Sequence, residues 1–462
     1  VTGVRRVLFR SPALPRQLST LRTVLALLAI LLDPFGLTTA TDGASSRLLN
    51  QLQANAYGDA GAREQIAVVI IDDAFLRQRE SHWPLPYSEQ SKLFRQLLAY
   101  RPAAVMVDLM YSYDHSRGRN SDSSRLLSNV FERYRAAGVP LYLANSGSAE
   151  SNALPIFTEV SEPALVSWSG FEDQYPLAAE TAYGWMDSAA FALYRRYCSS
   201  HACPPLPATA QLAGEQPPIT LQWGGDPARE QRLVSDVSQC ASSSGLWSRI
   251  LSQLAQAVFW RVSAPAEARC PYHLTITASA LATTVPEERA LLRELLGDRL
   301  VLVGASISSA EDLTSSPVHG KLPGVYAHAM ALDNLIEYDQ KYIAAPPQLL
   351  NTEIDVLDLL EFFFALIILW FHSARAGLSP KHRLAFALGA TLCLLLISLL
   401  LYHLRVSPVN ILGLLLLIGV LLPEEPECPS LPSTSTRKES SCAHPSPCSV
   451  PCCSAVPATR PD

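Results

Sequence analysis

Residues 66–73 read IAVVIIDD, a continuous run of aliphatic side chains that ends in two aspartates. A run of this kind, without alternating polar residues, is typical of a strand that is buried on both faces of a sheet. Residues 103–108 read AAVMVD and repeat the pattern, again with an acid at the end. Between the two runs, the apolar residues of 93–98 are spaced to form one face of a helix. We therefore predict a strand, helix, strand unit whose two strands are parallel.

The same alternation recurs farther along the chain. Further predicted elements are helices at 131–137, at 287–296 and after Gly324, and strands at 140–144, 219–223 and 300–303. Strands that alternate with helices predict an α/β fold with a mostly parallel sheet and flanking helices. The pairing of residues 226–285 stays open, because their apolar residues follow no clear period.

The composition indicates that part of the 462-residue chain lies in lipid. Charged residues make up 17% of the chain and hydrophobic residues 48%, where soluble proteins average about 25% charged. Apolar stretches flank the α/β region, and we predict transmembrane helices at residues 23–37, 356–372, 384–402 and 408–422. Two alternatives remain open: the first stretch is a cleaved secretory signal or a buried helix, and the other three are a buried hairpin in a soluble core.

Basic residues near these stretches predict their orientation, because Lys and Arg are retained on the cytoplasmic side. Five arginines lie within residues 1–22, and three Lys or Arg residues lie within 375–383. The turn between the third and fourth stretches carries only Arg405. We therefore expect residues 1–22 to form a cytoplasmic head and residues 38–350 to form an extracytoplasmic domain.

Four cysteines fall in that extracytoplasmic domain: Cys198, Cys203, Cys240 and Cys270. An oxidising compartment permits disulfides, so these residues are candidates for pairing. Cys198 with Cys203 would close a short loop, but the sequence does not fix the connectivity, and free thiols remain the alternative. The spacing is not that of a paired CxxC zinc site.

The C-terminal segment, residues 423–462, has a different composition, rich in Pro, Ser and Cys. We expect it to be a disordered tail, because such a composition cannot form a packed core. The change directly after Leu422 is abrupt, and residues 1–12 look equally unrelated to the sequence after them. We interpret both terminal segments as candidates for non-native sequence.

Charge and motifs exclude several classes of function. The net charge of −6 lacks the broad basic surface that binding of DNA or RNA needs. The sequence contains no GxxxxGK[ST] phosphate loop, no HExxH zinc helix and no GxSxG nucleophile elbow. We therefore predict no catalytic residue and no cofactor, and we expect the chain itself not to be an enzyme.

A candidate binding site lies where the predicted strands end. Ligands of open α/β sheets bind beyond the carboxyl ends of the strands, and Asp72, Asp73 and Asp108 occupy those ends. The loop after the strand at 300–303 would bring Asp312 to the same edge, near His328 of the following helix. Carboxylates with a histidine fit a cation or an amine ligand. The alternative is that these side chains are helix caps and loop hydrogen-bonding groups.

Several ordered motifs of the chain resemble the CHASE type-two family, the cyclase/histidine kinase-associated sensory extracellular domains. The resemblance covers residues 45–345. It rests on VVIIDD at 68–73, WPLP at 83–86, AVMVD at 104–108, LVGA at 302–305, Asp312, Pro317, PGVYAHA at 323–329 and Asn334-Leu335.

The resemblance implies a bacterial receptor with its sensor in the periplasm or outside and several passes through the inner membrane. A small-molecule or envelope signal would be passed through the membrane helices to a cytoplasmic cyclase or kinase, in cis or in trans. A homodimer is the natural expectation. The chain departs from the family pattern because no effector follows the fourth apolar stretch. Two competing hypotheses are an envelope hydrolase that uses a metal at the same cluster and a non-signalling, membrane-anchored assembly module.

Overall fold

The structure is a computed structural model that describes residues 37–58, 61–114, 122–167, 174–209, 216–234, 271–310, 312–344, 356–374, 380–406 and 410–415. Residues 1–36, and with them all of the first predicted membrane helix except Leu37, lie outside these residues. So do Cys240, Cys270 and the tail at 423–462. Of the predicted membrane helix at 408–422, only residues 410–415 are described.

The secondary structure alternates between strands and helices, as predicted. The strands are β1 (Ile66–Asp72), β2 (Ala104–Met110), β3 (Leu141–Asn145), β4 (Glu162–Leu165), β5 (Gln174–Tyr175), β6 (Ala178–Thr181), β7 (Gly184–Asp187), β8 (Ile219–Thr220), β9 (Leu274–Thr277), β10 (Leu300–Ser306), β11 (Leu313–Ser316) and β12 (Gly320–Pro323). The α-helices are α1 (Leu37–Gln53), α2 (Asp73–Gln78), α3 (Tyr87–Leu98), α4 (Ser123–Ala136), α5 (Pro155–Thr158), α6 (Ala189–Cys198), α7 (Gln231–Val234), α8 (Pro286–Leu296), α9 (Val325–Tyr338), α10 (Val356–Ala374) and α11 (Pro380–His403).

The main sheet has six strands in the order β4-β3-β2-β10-β1-β9. Every pairing in it is parallel. Strand β10 lies between β1 and β2, with Leu300 opposite both Ile66 and Ala104. The carboxyl ends of β1, β2 and β10 therefore lie side by side along one edge of the sheet.

Helices cover both faces of this sheet. Successive side chains of a strand point to opposite faces, so Val68 and Ile70 pack in one layer with residues of α6 and α9. Val69 and Ile71 pack in the other layer with residues of α3, α4 and α8. The predicted α/β fold with a parallel sheet and flanking helices is confirmed.

Two strands of the main sheet and one predicted strand differ from the sequence-based expectation. Strands β4 and β9 were not predicted, and β9 comes from the poorly patterned part of the chain. The strand expected at 219–223 is shorter, and its two residues pair antiparallel with β5 in a separate two-stranded sheet. The sequence had predicted no partner for this strand, and a run of apolar residues also fits a strand outside the main sheet.

Helices α10 and α11 correspond to the predicted membrane helices at 356–372 and 384–402. Both expose large apolar side chains, with exposed fractions of 60% for Phe363, 71% for Trp370, 63% for Leu388 and 59% for Leu392. Within the described part of the chain, no helix reaches the combination of length and apolar character that a membrane crossing requires.

One of the possible disulfides is present. Cys198, the last residue of α6, is joined to Cys203 with a sulfur–sulfur distance of 2.07 Å. This pairing closes the short loop that the sequence allowed.

Candidate functional site at the carboxyl edge of the sheet

The acids singled out in the sequence lie where the strands leave the core. The first six residues of β1 are buried, and Asp72, its last residue, is half-buried. In β2 the first four residues are buried, and the half-buried Asp108 follows them. A carboxylate inside the apolar layers would lose its hydration without compensation, so acids occur where the strands reach the polar edge.

Asp72 and Asp73 serve the backbone around them. Asp72 Oδ1 accepts a hydrogen bond from Phe75 N at 2.7 Å, which caps the N-terminus of α2. Asp73 Oδ2 accepts from Ser308 N at 3.2 Å, which joins the end of β1 to the loop after β10. For these two residues, the alternative of caps and loop hydrogen-bonding groups describes the contacts in the structure.

Asp108, Asp312 and His328, in contrast, are brought together. His328 Nε2 lies 3.8 Å from Asp108 Oδ2, and both side chains are largely buried. Asp312 lies against Gly324, at the start of the helix that carries His328, and its charge acts on Asp108. Asp312 itself reaches the surface, so the group opens to solvent on its side. We call Asp108, Asp312 and His328 the edge cluster.

Tyr175 of β5 completes the surroundings of His328. Its hydroxyl lies 2.7 Å from His328 Nδ1 and also accepts from Ala190 N at 3.2 Å. When the hydroxyl donates to Nδ1, a neutral imidazole carries its proton on Nε2. That nitrogen faces Asp108 Oδ2 at 3.8 Å.

Burial changes the proton affinities of the edge cluster. Burial and the nearby Asp312 raise the pKa of Asp108 to about 7. Partial burial also raises the pKa of Asp312. Burial lowers the pKa of His328 to about 4, because a charged imidazole would be desolvated there. At neutral pH the cluster therefore holds a neutral imidazole beside two carboxyl groups, and no Lys or Arg among the described residues forms an ion pair with either of them.

Two glycines allow the start of α9 to lie against this edge. A Cβ on Gly304 would lie 2.5 Å from Val325 Cγ1, so β10 passes very close to the first residue of α9. A Cβ on Gly324 would lie 2.7 Å from both carboxylate oxygens of Asp312. Gly324 N also donates to Asp312 O at 2.8 Å. The absence of side chains at these two positions therefore leaves the space that Val325 and Asp312 occupy.

The edge cluster does not have the arrangement of a metal centre. Among the residues that the structure describes, no group of three or more His, Cys, Asp or Glu side chains is placed so that it could hold a metal ion. The Asp108–His328 separation of 3.8 Å leaves the two groups facing each other without a direct hydrogen bond.

Sequence reasoning missed Tyr175 and a second polar cluster inside α9. Tyr57 OH donates to Asp333 Oδ1 at 2.6 Å, and His273 Nε2 lies 3.1 Å from Asp333 Oδ2. Asp333 is fully buried, and its neighbour Asn334 donates to Tyr57 OH at 2.6 Å. The signal was present in the sequence, because an Asp-Asn pair interrupts an otherwise apolar helix face. Tyr175 had no such signal, since it meets His328 only through the fold.

Comparison with known proteins identifies one family. The family model of the CHASE2 domain matches residues 23–371, which include the main sheet, the edge cluster and most of α10. Neither the curated proteins nor the solved structures contain a significant match.

Proposed function

The chain belongs to the CHASE2 domain family, and on that premise we propose that it is a bacterial membrane receptor whose sensor domain binds a small amine. CHASE2 domains are sensory extracellular domains, so the chain carries a sensor module, and a periplasmic location is compatible with this family. The proposal adds the chemical class of the signal, its binding site, the membrane anchor and the output.

The edge cluster is the observation that carries the proposal. Asp108 and Asp312 lie close enough for one charge to raise the pKa of the other carboxyl group. A cation between them would remove that repulsion and form charge-assisted hydrogen bonds with both. A small primary amine fits this role, because its ammonium group offers three donors on a compact charge. Asp312, being exposed, would admit the ligand.

Binding becomes a signal only when the ligand prefers one of two conformations of the domain. The edge cluster joins β2, the loop before β11 and the first turns of α9. An amine that bridges Asp108 and Asp312 would favour the conformation in which these elements are closest together. The position of α9 relative to the sheet is therefore the quantity that we expect the ligand to change.

The membrane anchor is the second part of the proposal. It is supported by the exposed apolar side chains of α10 and α11, among them Phe363, Trp370 and Leu388, and by the distribution of basic residues along the chain. We propose that the chain passes through the inner membrane several times, acts as a homodimer and regulates a cytoplasmic cyclase or kinase in cis or in trans. Extraction of cell membranes with alkaline carbonate tests the anchor: the chain stays in the pellet.

Calorimetric titration of the purified full chain in detergent with methylammonium tests the binding site. We expect saturable binding that is about tenfold weaker at pH 6 than at pH 8, because Asp108, with a pKa of about 7, must lose its proton. Binding near pH 7 also releases protons, which titrations in buffers of different ionisation enthalpy detect. The variants Asp108→Asn and Asp312→Asn weaken binding at least tenfold.

The matched control is Asp73→Asn. This acid lies on the same edge, but it accepts a hydrogen bond from Ser308 N, and an Asn side-chain oxygen can accept the same bond. It leaves methylammonium affinity unchanged. Equal weakening by Asp73→Asn, or binding without pH dependence, contradicts the proposed site.

We advance no second function. A metal-assisted hydrolase would need metal ligands at this edge, and the described residues offer no such group. No contact of the described residues favours an assembly module over a sensor.

A further inference from the structure

Helix α9 leads away from the edge cluster. His328 lies in its first turns, and Tyr338 is its last residue. A helix of 14 residues is about 20 Å long at roughly 1.5 Å per residue. One rigid element therefore connects the candidate ligand site to whatever contacts Tyr338.

Residues in the middle of α9 hold two other parts of the chain. Asn334 Oδ1 accepts from Gln222 N at 2.9 Å, and Asn334 Nδ2 donates to Gln222 O at 3.0 Å. Asp333 accepts from Tyr57, which follows α1, at 2.6 Å. Both α9 residues are buried, so breaking these bonds would leave polar groups unpaired in the core. Gln222 and Tyr57 are therefore expected to move with α9.

Arg405, two residues after the end of α11, contacts both α9 and Gln222. Its guanidinium carbon lies 3.6 Å from the centroid of the Tyr338 ring, the geometry of a cation–π contact. Its Nη1 donates to Gln222 Oε1 at 3.4 Å. The adjacent Val406 forms a parallel bridge with Ala344. The return of the chain from α11 is thus held by the C-terminal end of α9.

Asn410, five positions after Arg405, forms hydrogen bonds with two helices, α1 and α10. Its Nδ2 donates to Thr41 Oγ1 at 2.8 Å, and its Oδ1 accepts from Ser45 Oγ at 3.3 Å, both on α1. Its backbone N donates to Glu361 Oε1 of α10 at 2.6 Å. All four side chains are buried, and a satisfied buried polar cluster favours a unique arrangement. The position of α1 against α10 therefore depends on Asn410.

From these contacts we infer that Arg405 and Asn410 form the output junction of the sensor domain. A displacement of α9 is passed from Tyr338 and Gln222 to Arg405, and from there to the Asn410 contacts that hold α1 against α10. This inference deepens the proposed function, on which it rests, by naming the route from the edge cluster to the helices that flank the domain. Both residues act as positioning residues and do not contact the ligand.

Hydrogen exchange of the full chain in detergent tests the junction, because Leu412 N donates to Ser45 Oγ and Gly413 N donates to Asn410 Oδ1. We perturb the start of α9 with His328→Gln and measure exchange in peptides that cover residues 410–415. We expect at least a threefold change of exchange rate there. In the Tyr338→Leu or Arg405→Gln background, the same perturbation changes the rate by less than 1.5-fold. The matched control is Arg195→Gln, which removes another arginine that lies over an aromatic ring, that of Phe191.

The possible results distinguish the output junction from the proposed amine-binding site. An unchanged rate after His328→Gln in an otherwise native chain overturns the junction, whether or not methylammonium binds. A threefold change without methylammonium binding supports the junction and contradicts the ligand class. The output junction is also overturned when Arg195→Gln reduces the effect of His328→Gln on exchange at residues 410–415 as much as Arg405→Gln does. Where His328→Gln unfolds the domain, Asp108→Asn replaces it as the perturbation, with the same readings.

Discussion

His328 Nε2 lies 3.8 Å from Asp108 Oδ2, and the fold reverses the order in which these two groups take up a proton. An ordinary histidine is protonated well before an ordinary aspartic acid as the pH falls. Here the pKa of Asp108 is raised to about 7 and that of His328 is lowered to about 4. Between those values the proton is on the carboxyl group and the imidazole is neutral.

This reversal predicts opposing pH dependences of stability. Asp108 binds a proton more tightly in the folded chain, so its stabilising contribution is complete below its ordinary pKa of 3.8 and is lost as the pH rises through about 7. His328 contributes stability that is present above 6.5 and is lost as the pH falls through about 4. The two slopes offset each other between about pH 4 and 6.5.

Melting temperatures measured from pH 4 to 8 on the full chain check this prediction. The variant Asp108→Asn leaves the histidine contribution alone, so its melting temperature rises with pH from about 4 to 6.5. His328→Gln leaves the carboxyl contribution alone, so its melting temperature falls as the pH rises towards 7. Parallel curves for the two variants would show that the proton affinities are not reversed.

Alanine at Gly304 should lower the stability of the domain, whereas alanine at Gly324 should mainly lower its affinity for the ligand. Gly304→Ala forces a Cβ to within 2.5 Å of Val325, and such overpacking costs about 1–3 kcal/mol of unfolding free energy. Gly324→Ala displaces the end of the exposed Asp312 side chain, which can turn away. It therefore changes stability by less than about 1 kcal/mol but weakens methylammonium binding.

Chemical denaturation and calorimetry of both variants make this comparison. Gly43→Ala is the control, because its Cβ would meet only Arg47 Nη2 at 3.7 Å inside α1, and alanine there stabilises the helix by up to about 1 kcal/mol. A Gly324→Ala chain with unchanged methylammonium affinity would contradict the role given to Asp312.

Replacing the fully buried Asp333 of α9 should cost much more stability than replacing the partly exposed Asp187. Asp333→Leu removes the acceptor of Tyr57 OH and the partner of His273, at a cost of about 1–3 kcal/mol for each polar group left unpaired. Asp187→Asn weakens the partly exposed pair with Arg195 and should cost less than about 1 kcal/mol. Denaturant unfolding of both variants gives the comparison, and similar losses for the two would show that the Asp333 contacts add little.

The disulfide of α6 should stabilise the domain modestly, because it closes a short loop. The double variant Cys198→Ala/Cys203→Ala is expected to lose about 2 kcal/mol of unfolding free energy, as chain-entropy estimates give for a loop of this length. The single variant Cys393→Ala, at an exposed free thiol, is the control and should leave stability unchanged. Stability of the double variant equal to that of the native chain would contradict this prediction.

The core of the fold was predictable because its strands are long and apolar. The runs at 66–71 and 104–107 have no polar interruption and are rich in β-branched residues, which is typical of a strand buried on both faces. Strand β4 escaped prediction because Glu162 and Pro163, half of its residues, are exposed. The partner of Ile219 also escaped, because strand pairing depends on contacts that a single sequence does not contain.

The sequence predicts where the candidate site lies but not which residues form it. Parallel topology places Asp72, Asp73 and Asp108 on one edge, and the sequence identifies all three. Asp72 accepts from a backbone N–H three residues later, whereas Asp108 faces His328, far along the chain, at 3.8 Å. Aspartates at strand ends look alike in sequence, and only the packing of α9 distinguishes a cap from a member of the edge cluster.

The position of β10 delays formation of the main sheet during synthesis of the chain. Residue 66 pairs with residue 300, and β10 separates β1 from β2 in the sheet. A nascent chain that already contains β1 and β2 therefore has no native neighbour to hold them together until residue 306 has been synthesised. During that time it carries unpaired strand edges that are prone to aggregation. Pairing across such a separation is also slow, and any fragment that ends before β10 lacks the centre of its sheet.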